Sequence, residues 1–300
     1  MEYGNSRCIA VKTKGYTVKI ALDAPRRPAL RYYGGKWKLA PWIISFFPEH
    51  QNYVEPCGGA ASVLLQKPRS PLETYNDLDG NVVNFFRVLR DRPDELIRLI
   101  RLTPWARAEY ELTWIPSEDS LENARRFFIC VWMSISNMAF ESHTGFRTSS
   151  YFGQCYNLPV HNFRGLIDSG ILNEIAVRLC DVQIENRDYQ YILERYDRFD
   201  ALIYFDPPYV LTERVAIKCY AYEWTDAQHT AAARLLHAAQ GFVIVSGYAC
   251  PLYTELYEAR GWERHDKEAQ TNSGGKRIES VWLSPRTVEA LDKPRQMELL

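Results

Sequence analysis

The feature that most constrains this 300-residue chain is a run of five apolar residues that stops at a polar, proline-containing motif. The run, Ala201–Phe205, predicts a strand buried on both faces, as in the centre of a parallel sheet. Asp206-Pro207-Pro208-Tyr209 follows it directly. Open α/β sheets bind ligands at the carboxyl ends of their strands. The sequence therefore predicts an α/β fold with a ligand site at 206–209.

This motif suits the transfer of a methyl group to an exocyclic amino group of a base. Such an amine is a poor nucleophile, and acceptors for both of its N–H bonds favour the pyramidal, reactive form. The Asp206 carboxylate and the Pro207 carbonyl are such acceptors, and the two prolines stiffen the loop. Tyr209 offers a face on which a flipped base can stack. A rigid turn after a strand is the alternative interpretation.

The composition is that of an ordinary globular protein. Hydrophobic residues make up 46% and charged residues 24% of the chain, and the net charge is −1, so nucleic-acid binding would require a local basic patch. No apolar stretch approaches the roughly 20 residues of a membrane span, and we expect no signal peptide. The seven cysteines include no CxxC pair, which favours reduced thiols over a zinc site or a disulfide framework.

Two stretches of strand–helix alternation flank a helical region. Hydrophobic periodicity predicts strands at 52–56, 71–77, 183–186, 201–205, 241–246 and 278–283, and helices at 39–47, 60–65, 81–89, 189–196 and 226–239. Between them, helical periodicity covers 94–102, 106–112 and 121–135, and a polar, aromatic loop follows at 136–163. We therefore predict a catalytic domain at 28–84 and 175–284, an inserted helical domain at 85–174, an N-terminal extension at 1–27 and a C-terminal tail at 285–300.

A glycine-containing turn follows the first strand predicted within the catalytic domain. Residues 55–62 are Glu-Pro-Cys-Gly-Gly-Ala-Ala-Ser, and glycines at such a turn let the backbone approach a bound nucleoside closely. The spacing matches neither the dinucleotide motif nor the P-loop. Asp77 lies about 20 residues further on, where a carboxylate typically binds ribose hydroxyls. S-adenosylmethionine fits these features and the chemistry of 206–209, and plain chain geometry is the alternative for the glycines.

These blocks, in this order, resemble the D12 class of Dam-like DNA adenine-N6 methyltransferases over roughly residues 28–284. The blocks are Arg31-Tyr32-Tyr33-Gly34-Gly35-Lys36, the turn at 54–63, Asn76-Asp77-Leu78-Asp79, Asn186-Arg187-Asp188-Tyr189, the motif at 206–209, Ser246-Gly247-Tyr248 and Glu279-Ser280-Val281-Trp282-Leu283. The resemblance implies a Rossmann-like methyltransferase sheet with an inserted, mainly helical target-recognition domain.

The resemblance also implies roles for individual residues. It implies that S-adenosylmethionine is bound by Tyr32, Lys36, Glu55, Pro56, Gly58, Gly59, Asp77, Asp188, Tyr189 and Asp206. It implies that catalysis rests on Asp206, Pro207, Pro208 and Tyr209. Two positions depart from the family's usual glycine turn: Cys57 stands in place of a phenylalanine, and Ala61 in place of a further glycine.

By the same resemblance, the inserted region contacts double-stranded DNA. Thr144-Gly145-Phe146-Arg147 and Tyr156-Asn157-Leu158-Pro159 are similar to the family's DNA-contacting segment. The residues expected to contact DNA are Gly145, Arg147, Asn157, Arg126 and Lys276. For arginines other than Arg147, a solvated charged face is the alternative.

The predicted reaction is methyl transfer from S-adenosylmethionine to N6 of a flipped adenine, without a metal ion. The alternatives are methylation of an RNA adenine, of cytosine N4 or of a protein amide, and a catalytically silent DNA-binding module. An aspartate at 206 favours adenine, because cytosine-N4 enzymes more often carry serine there. We expect a cytoplasmic monomer or weak dimer of bacterial, phage or prophage origin, with a cognate restriction endonuclease as a candidate partner.

Overall fold

The computed structural model describes residues 8–13, 16–21, 24–135, 144–148, 159–213, 222–270 and 276–292. Within these residues, nine strands form a two-stranded hairpin and a seven-stranded sheet. The hairpin strands, which pair antiparallel, are β1 (Cys8–Thr13) and β2 (Tyr16–Ala21). The sheet strands are β3 (Asn52–Glu55), β4 (Leu72–Asn76), β5 (Gln183–Glu185), β6 (Ala201–Phe205), β7 (Phe242–Gly247), β8 (Glu263–Gln270) and β9 (Lys276–Leu283).

The large sheet has the order β5-β4-β3-β6-β7-β9-β8. Its first five strands are parallel, whereas β9 runs antiparallel to β7, and β8 to β9. The chain builds outward from β3 to β5, returns to the centre with β6 and then builds in the opposite direction. The ends of β3 and β6 therefore flank a topological switch point, where such sheets bind ligands. The predicted α/β, Rossmann-like fold class is confirmed.

The central strand β6 is fully buried, as its apolar sequence predicts. Its side chains alternate between two hydrophobic cores, one on each face of the sheet. Leu202 and Tyr204 belong to one core, and Ile203 and Phe205 belong to the other. Strand β6 ends at Phe205, so the next residue, Asp206, lies at the carboxyl edge of the sheet.

Helices cover both faces of this sheet. Within the described residues they are α1 (Ala40–Ile44), α2 (Gly80–Asp91), α3 (Pro93–Leu102), α4 (Arg107–Leu112), α5 (Ser120–Met133), α6 (Pro159–Asp168), α7 (Ile171–Leu179), α8 (Tyr189–Tyr196), α9 (Asp226–His237), α10 (Pro251–Leu256) and α11 (Pro285–Asp292), with 3-10 turns at Leu211–Glu213 and Glu258–Arg260. Helices α1–α7 contribute to the core that contains Leu202, and α8–α10 to the core that contains Ile203. None of these helices is both long enough and apolar enough to cross a bilayer.

Helices α2 and α7 join the helical region to the sheet. The boundaries predicted between 84 and 85 and between 174 and 175 fall inside these two helices. Helix α2 packs against both α5 and α7. From α7, the Arg178 guanidinium lies 2.6 Å from the Glu73 carboxylate on β4, and both side chains are at most 2% exposed. The described part of 85–174 therefore shares one core with the sheet.

The helix predicted at 60–65 is wrong, because this segment is a series of turns. Gly59 has a φ of +47° and Ala61 a φ of +54°, and the α-helix requires a negative φ. A hydrogen bond from the Ala61 N–H to the Gly58 carbonyl, 2.8 Å long, closes the first turn. Apolar composition predicted a helix here, but the tight return of the chain after β3 excludes one.

Several further elements were not predicted. Helix α10 is one of them, and α6 begins at Pro159, inside the loop predicted at 136–163. The segment assigned to a C-terminal tail contains α11, whose buried Thr287 accepts a hydrogen bond from the Val243 N–H at 3.0 Å. Strand β8 lies at the edge of the sheet and is rich in charged residues. Charge protects an edge strand from pairing with other chains, and it also hides the apolar alternation that marks a strand.

Candidate active site

A cavity of about 400 Å³ opens where the loops after β3, β4 and β6 meet. This volume lies within the range of small-molecule sites. All ten residues predicted to bind the cofactor line it: Tyr32, Lys36, Glu55, Pro56, Gly58, Gly59, Asp77, Asp188, Tyr189 and Asp206. Of the catalytic motif, Asp206 and Pro208 line the cavity, and Pro207 and Tyr209 are buried beside it. The structure thus brings together residues that lie far apart in the sequence.

Asn76, at the end of β4, joins the loop after β3 to the loop after β5. Its side-chain N–H groups donate to the carbonyls of Pro56 at 2.7 Å and Arg187 at 3.0 Å, and its side-chain oxygen accepts from the Arg187 N–H at 2.8 Å. The side chain is 1% exposed. Because a buried amide is stable only when its partners are in place, Asn76 fixes the loop after β3 against the loop after β5.

The glycine turn is held by the neighbouring strand. The Gly58 N–H donates to the Asn76 carbonyl at 2.8 Å, and the Tyr75 hydroxyl donates to the Gly59 carbonyl at 2.7 Å. A Cβ on Gly58 would overlap the buried Tyr75 ring. The turn therefore requires glycine at this position because the strand beside it supplies a large aromatic ring.

Asp77 is oriented by backbone donors. One of its oxygens accepts from the Gly59 N–H and the other from the Asp79 N–H, each at 2.8 Å. Burial raises the pKa of Asp77 to about 6, although these hydrogen bonds favour the ionised form. A carboxylate held in this way at the cavity wall can accept hydrogen bonds from ligand hydroxyls.

Glu55 lies at the floor of the cavity and is 2% exposed. One of its oxygens accepts from the Tyr53 hydroxyl at 2.9 Å and from the Leu64 N–H at 3.2 Å. Burial, together with the charge of nearby Asp206, raises the pKa of Glu55 to about 8, although these hydrogen bonds favour the ionised form. Its contacts bind the floor of the cavity to the turn at 58–65.

Lys36 and Asp206 form an ion pair next to Tyr209. The Lys36 ammonium lies 3.0 Å from one Asp206 oxygen and 2.8 Å from the Gly34 carbonyl, and it lies over the Tyr209 ring, 4.6 Å from its centroid. Burial lowers the pKa of Lys36, but the charges of Asp206 and Glu279 outweigh burial and raise it overall. The other Asp206 oxygen is buried without a hydrogen-bond partner among the described residues.

An aromatic wall closes the side of the cavity next to α8. The Tyr189 ring lies 4.9 Å from the Trp224 ring and 5.7 Å from the Phe205 ring. Asp188 caps α8 by accepting from the Gln190 N–H at 2.8 Å. Trp224 also lines the cavity, and no role was predicted for it. Its position directly before a helix start is the signal that could have drawn attention to it.

Cys57 takes part in the core beneath this wall. Burial raises the pKa of its thiol well above the usual value, and the charge of Asp77 adds to this effect. Cys57 therefore stays a neutral, apolar side chain. Within the described residues, no group of three or more His, Cys, Asp or Glu side chains could hold a metal ion.

Three of the residues predicted to contact DNA, Gly145, Arg147 and Arg126, lie within the described residues. Arg147 and Gly145 lie beside the end of α5, where the Arg147 N–H donates to the Met133 carbonyl. Gly145 has a φ of +100°. Arg126 is occupied within the helical region, because it donates to Glu122 at 2.7 Å and to the Ile115 carbonyl.

The other two residues predicted to contact DNA are Asn157 and Lys276. Asn157 lies outside the described residues. The backbone of Lys276 pairs with Gln270 at one end of β9, and its side chain lies outside the described part of the chain.

A sheet of five parallel strands with a switch point and a cavity at its carboxyl edge is typical of α/β proteins that bind nucleoside-containing ligands. Residues 32–273 match the family of D12 class N6 adenine-specific DNA methyltransferases, so the chain belongs to this family. Members transfer a methyl group from a donor of the S-adenosylmethionine type to adenine in DNA, as the sequence predicted.

Two bacterial relatives agree with this assignment. Type II methyltransferase M1.LlaDCHI of Lactococcus lactis subsp. cremoris is 26% identical over 272 residues, which cover 83% of this chain and 90% of that protein. The DNA adenine methylase of Haemophilus influenzae is 24% identical over 265 residues, which cover 79% and 85% of the two chains.

Proposed function

We propose that this enzyme methylates N6 of an adenine flipped out of double-stranded DNA, with Asp206 and the Pro207 carbonyl as acceptors for the amino group. The observation that carries the proposal is a buried Asp206 oxygen that has no hydrogen-bond partner among the described residues, in a carboxylate whose other oxygen shares the Lys36 ammonium with the Tyr209 ring. A buried acceptor without a donor costs free energy, and such groups concentrate where a ligand supplies the donor. An exocyclic amino group is a donor of this kind.

The residues of the cavity fit S-adenosylmethionine. Asp77 is oriented to accept from ribose hydroxyls, and the wall of Tyr189 and Trp224 fits an adenine ring. The Ser62 hydroxyl also lines the cavity and is buried without a hydrogen-bond partner among the described residues. When bound, S-adenosylmethionine supplies a methyl group already activated by its sulfonium charge.

The protein's own groups then position the target amine. Asp206 accepts one N–H bond and the Pro207 carbonyl accepts the other, which favours the pyramidal nitrogen whose lone pair attacks. The Tyr209 ring supplies a stacking surface for the flipped base. Lys36 moves away from Asp206 or shares it with the amine, because its ammonium contacts both Asp206 and the Tyr209 ring.

Arg147 supports DNA binding by the helical region. Burial, together with the charge of the nearby Arg147, lowers the pKa of Arg31 to about 10. Two guanidinium groups that repel each other attract a phosphate group between them. Gly145, Asn157, Arg126 and Lys276 remain predicted contacts.

The setting of the enzyme is also a proposal. Its relatives are bacterial, which supports a bacterial, cytoplasmic enzyme or one encoded by a phage or prophage. A cognate restriction endonuclease, the monomer or weak dimer, and the independence from metal ions remain predictions.

The decisive test is transfer of a radiolabelled methyl group from S-adenosylmethionine to unmethylated genomic DNA, with base analysis and sequencing of the product. We expect N6-methyladenine in a defined sequence motif. Asp206→Ala should abolish transfer and leave DNA binding largely intact, whereas Asp181→Ala, at a side chain that is 84% exposed, is the matched control.

Other results would contradict the proposal in different ways. N4-methylcytosine, or label in RNA only, would move the target to another base or nucleic acid. DNA binding without label in any product would favour a silent module. Near-normal turnover by Asp206→Ala would refute the mechanism.

A further inference from the structure

Strand β9 directs two charged side chains toward the catalytic motif. Side chains two residues apart lie on the same face of a strand, so Arg277 and Glu279 share a face. The intervening Ile278 is 55% exposed, whereas Arg277 and Glu279 are half-buried. Strand β9 pairs with β7, where Ser280 lies opposite Gly247 at the end of that strand. The shared face of β9 therefore lies at the same edge of the sheet as 206–209.

Glu279 contacts the catalytic tyrosine directly. The Tyr209 hydroxyl donates to a Glu279 oxygen at 3.0 Å. Tyr209 is 4% exposed, so this charge-assisted hydrogen bond lies in a largely dry environment, where such bonds are strong. The contact joins the loop after β6 to strand β9, and its two residues are 70 positions apart in the sequence.

Tyr248 holds the ring of Tyr209 from another direction. The two rings meet edge to face, with centroids 4.6 Å apart and planes at 79°. Arg277 in turn donates to the Tyr248 hydroxyl at 2.8 Å and lies over the Tyr248 ring. The plane of the Tyr209 ring is thus constrained both at its hydroxyl and by a neighbouring ring.

We propose that Glu279 is a positioning residue that holds the Tyr209 ring, through its hydroxyl, in the plane on which the flipped base stacks. The inference rests on the proposed function, because it requires that Tyr209 stack against the target base. A ring held in place before the base arrives loses little conformational entropy on stacking. Glu279 acts through Tyr209 and not on the base.

Two other roles for Glu279 make different predictions. A structural role in the β8–β9 hairpin would not depend on the Tyr209 hydroxyl. A role as a counter-charge for Lys36, whose pKa it helps to raise, would require the negative charge. The positioning role requires only an acceptor oxygen, which glutamine also supplies.

The test is a double-mutant cycle of Glu279→Ala and Tyr209→Phe, measured as kcat/KM for DNA in the methyl-transfer assay. Each single variant should lose about tenfold to one hundredfold, the effect of one hydrogen bond to a charged group. The double variant should be no worse than Tyr209→Phe alone, because that variant already removes the contact with Glu279, together with the contact of the Tyr209 hydroxyl with Asp206. Glu279→Gln should recover most of the activity, and the Kd for S-adenosylmethionine should stay within about twofold of the wild-type value in every variant.

The outcomes separate this inference from the proposed function. Multiplying losses in the double variant, failure of Glu279→Gln to recover activity, or loss of S-adenosylmethionine binding by Glu279→Ala would overturn the positioning role. An inactive wild-type enzyme would overturn the proposed function as well. Glu263→Ala is the matched control, since Glu263 belongs to the same hairpin and is 51% exposed beside His265. Its kcat/KM should equal that of the wild type.

Discussion

The Lys36 ammonium contacts both groups that the proposed mechanism assigns to the target base: it lies 3.0 Å from the Asp206 carboxylate and 4.6 Å from the centre of the Tyr209 ring. From the sequence, Lys36 was predicted to bind the cofactor. Lys36 lines the cavity, and its position also connects the cavity to the catalytic motif. The charge of Lys36 lowers the pKa of Asp206, against the larger, opposite effect of burial.

The first prediction concerns the pH dependence of catalysis. Lys36→Met removes the cation, which is the largest influence that lowers the pKa of Asp206 against burial. The pKa of Asp206 therefore rises, and a larger share of this carboxyl group is protonated at a given pH. The acid limb of the kcat/KM profile should therefore move to higher pH by about one unit or more. Lys36→Arg, which keeps the charge, should change the limb less. Identical acid limbs in Lys36→Met and the wild type would contradict this relationship.

The second prediction concerns stability and Glu55. Unfolded, this group ionises near pH 4.5, but in the folded protein it ionises near pH 8. Folding therefore takes up a proton between these values, and the free energy of unfolding falls as the pH rises from 4.5 to 8. Glu55→Gln imitates the protonated form and removes this dependence. Its advantage over the wild type should grow by up to about 1.4 kcal/mol per pH unit.

Urea unfolding at pH 5, 6.5 and 8 would measure this difference between Glu55→Gln and the wild type. Asp77 titrates in both proteins, so its contribution cancels in the comparison. A difference that stays constant across the three pH values would show that Glu55 is ionised in the folded protein.

The third prediction compares two glycines. Gly58→Ala places a methyl group against the buried Tyr75 ring, which should destabilise the protein by roughly 1–3 kcal/mol and weaken S-adenosylmethionine binding. Gly165→Ala is the control, because nothing lies within 4 Å of its added methyl group and it lies within α6. It should stabilise the protein by up to about 1 kcal/mol. Thermal unfolding and titration with the cofactor measure both, and equal effects at the two positions would refute the packing argument.

The fourth prediction concerns Ala61, whose φ is +54°. Relief of this strain by Ala61→Gly should be offset by the lost methyl burial and the added chain entropy, leaving stability within about 1 kcal/mol of the wild-type value. Ala61→Val should be much more destabilising, since β-branched residues rarely adopt this conformation. Chemical denaturation ranks the three proteins. A valine variant as stable as the wild type would argue against a positive φ here.

Much of the fold was predictable from local patterns. The buried run before Asp206 identified the central strand, and the spacing of the glycine turn and Asp77 placed the cofactor cavity at the correct edge of the sheet. These features depend on short segments whose burial or turn geometry is written in consecutive residues. The helical character of the inserted region followed from periodicity in the same way.

The remainder depends on contacts between distant residues. Nothing in the sequence near Glu279 shows that it accepts from Tyr209, because the pairing of β9 with β7 brings these residues together. Asn76 belongs to a recognisable block, but its part in joining the loops after β3 and β5 appears only when β4 lies between those strands. The turns at 60–65 have the apolar composition of a helix. An alanine with a positive φ, such as Ala61, cannot be recognised from its residue type.

The sharing of helices α2 and α7 between the sheet and the helical region has a consequence for engineering. A helical region exchanged between relatives at residues 84 and 174 would cut both helices. Chimeras joined before α2 and after α7 keep both helices whole, but they separate Arg178 from the Glu73 of the host chain, so Glu73 must be exchanged together with Arg178. Under the proposed role of the helical region in DNA contact, sequence specificity is transplantable only together with part of the sheet.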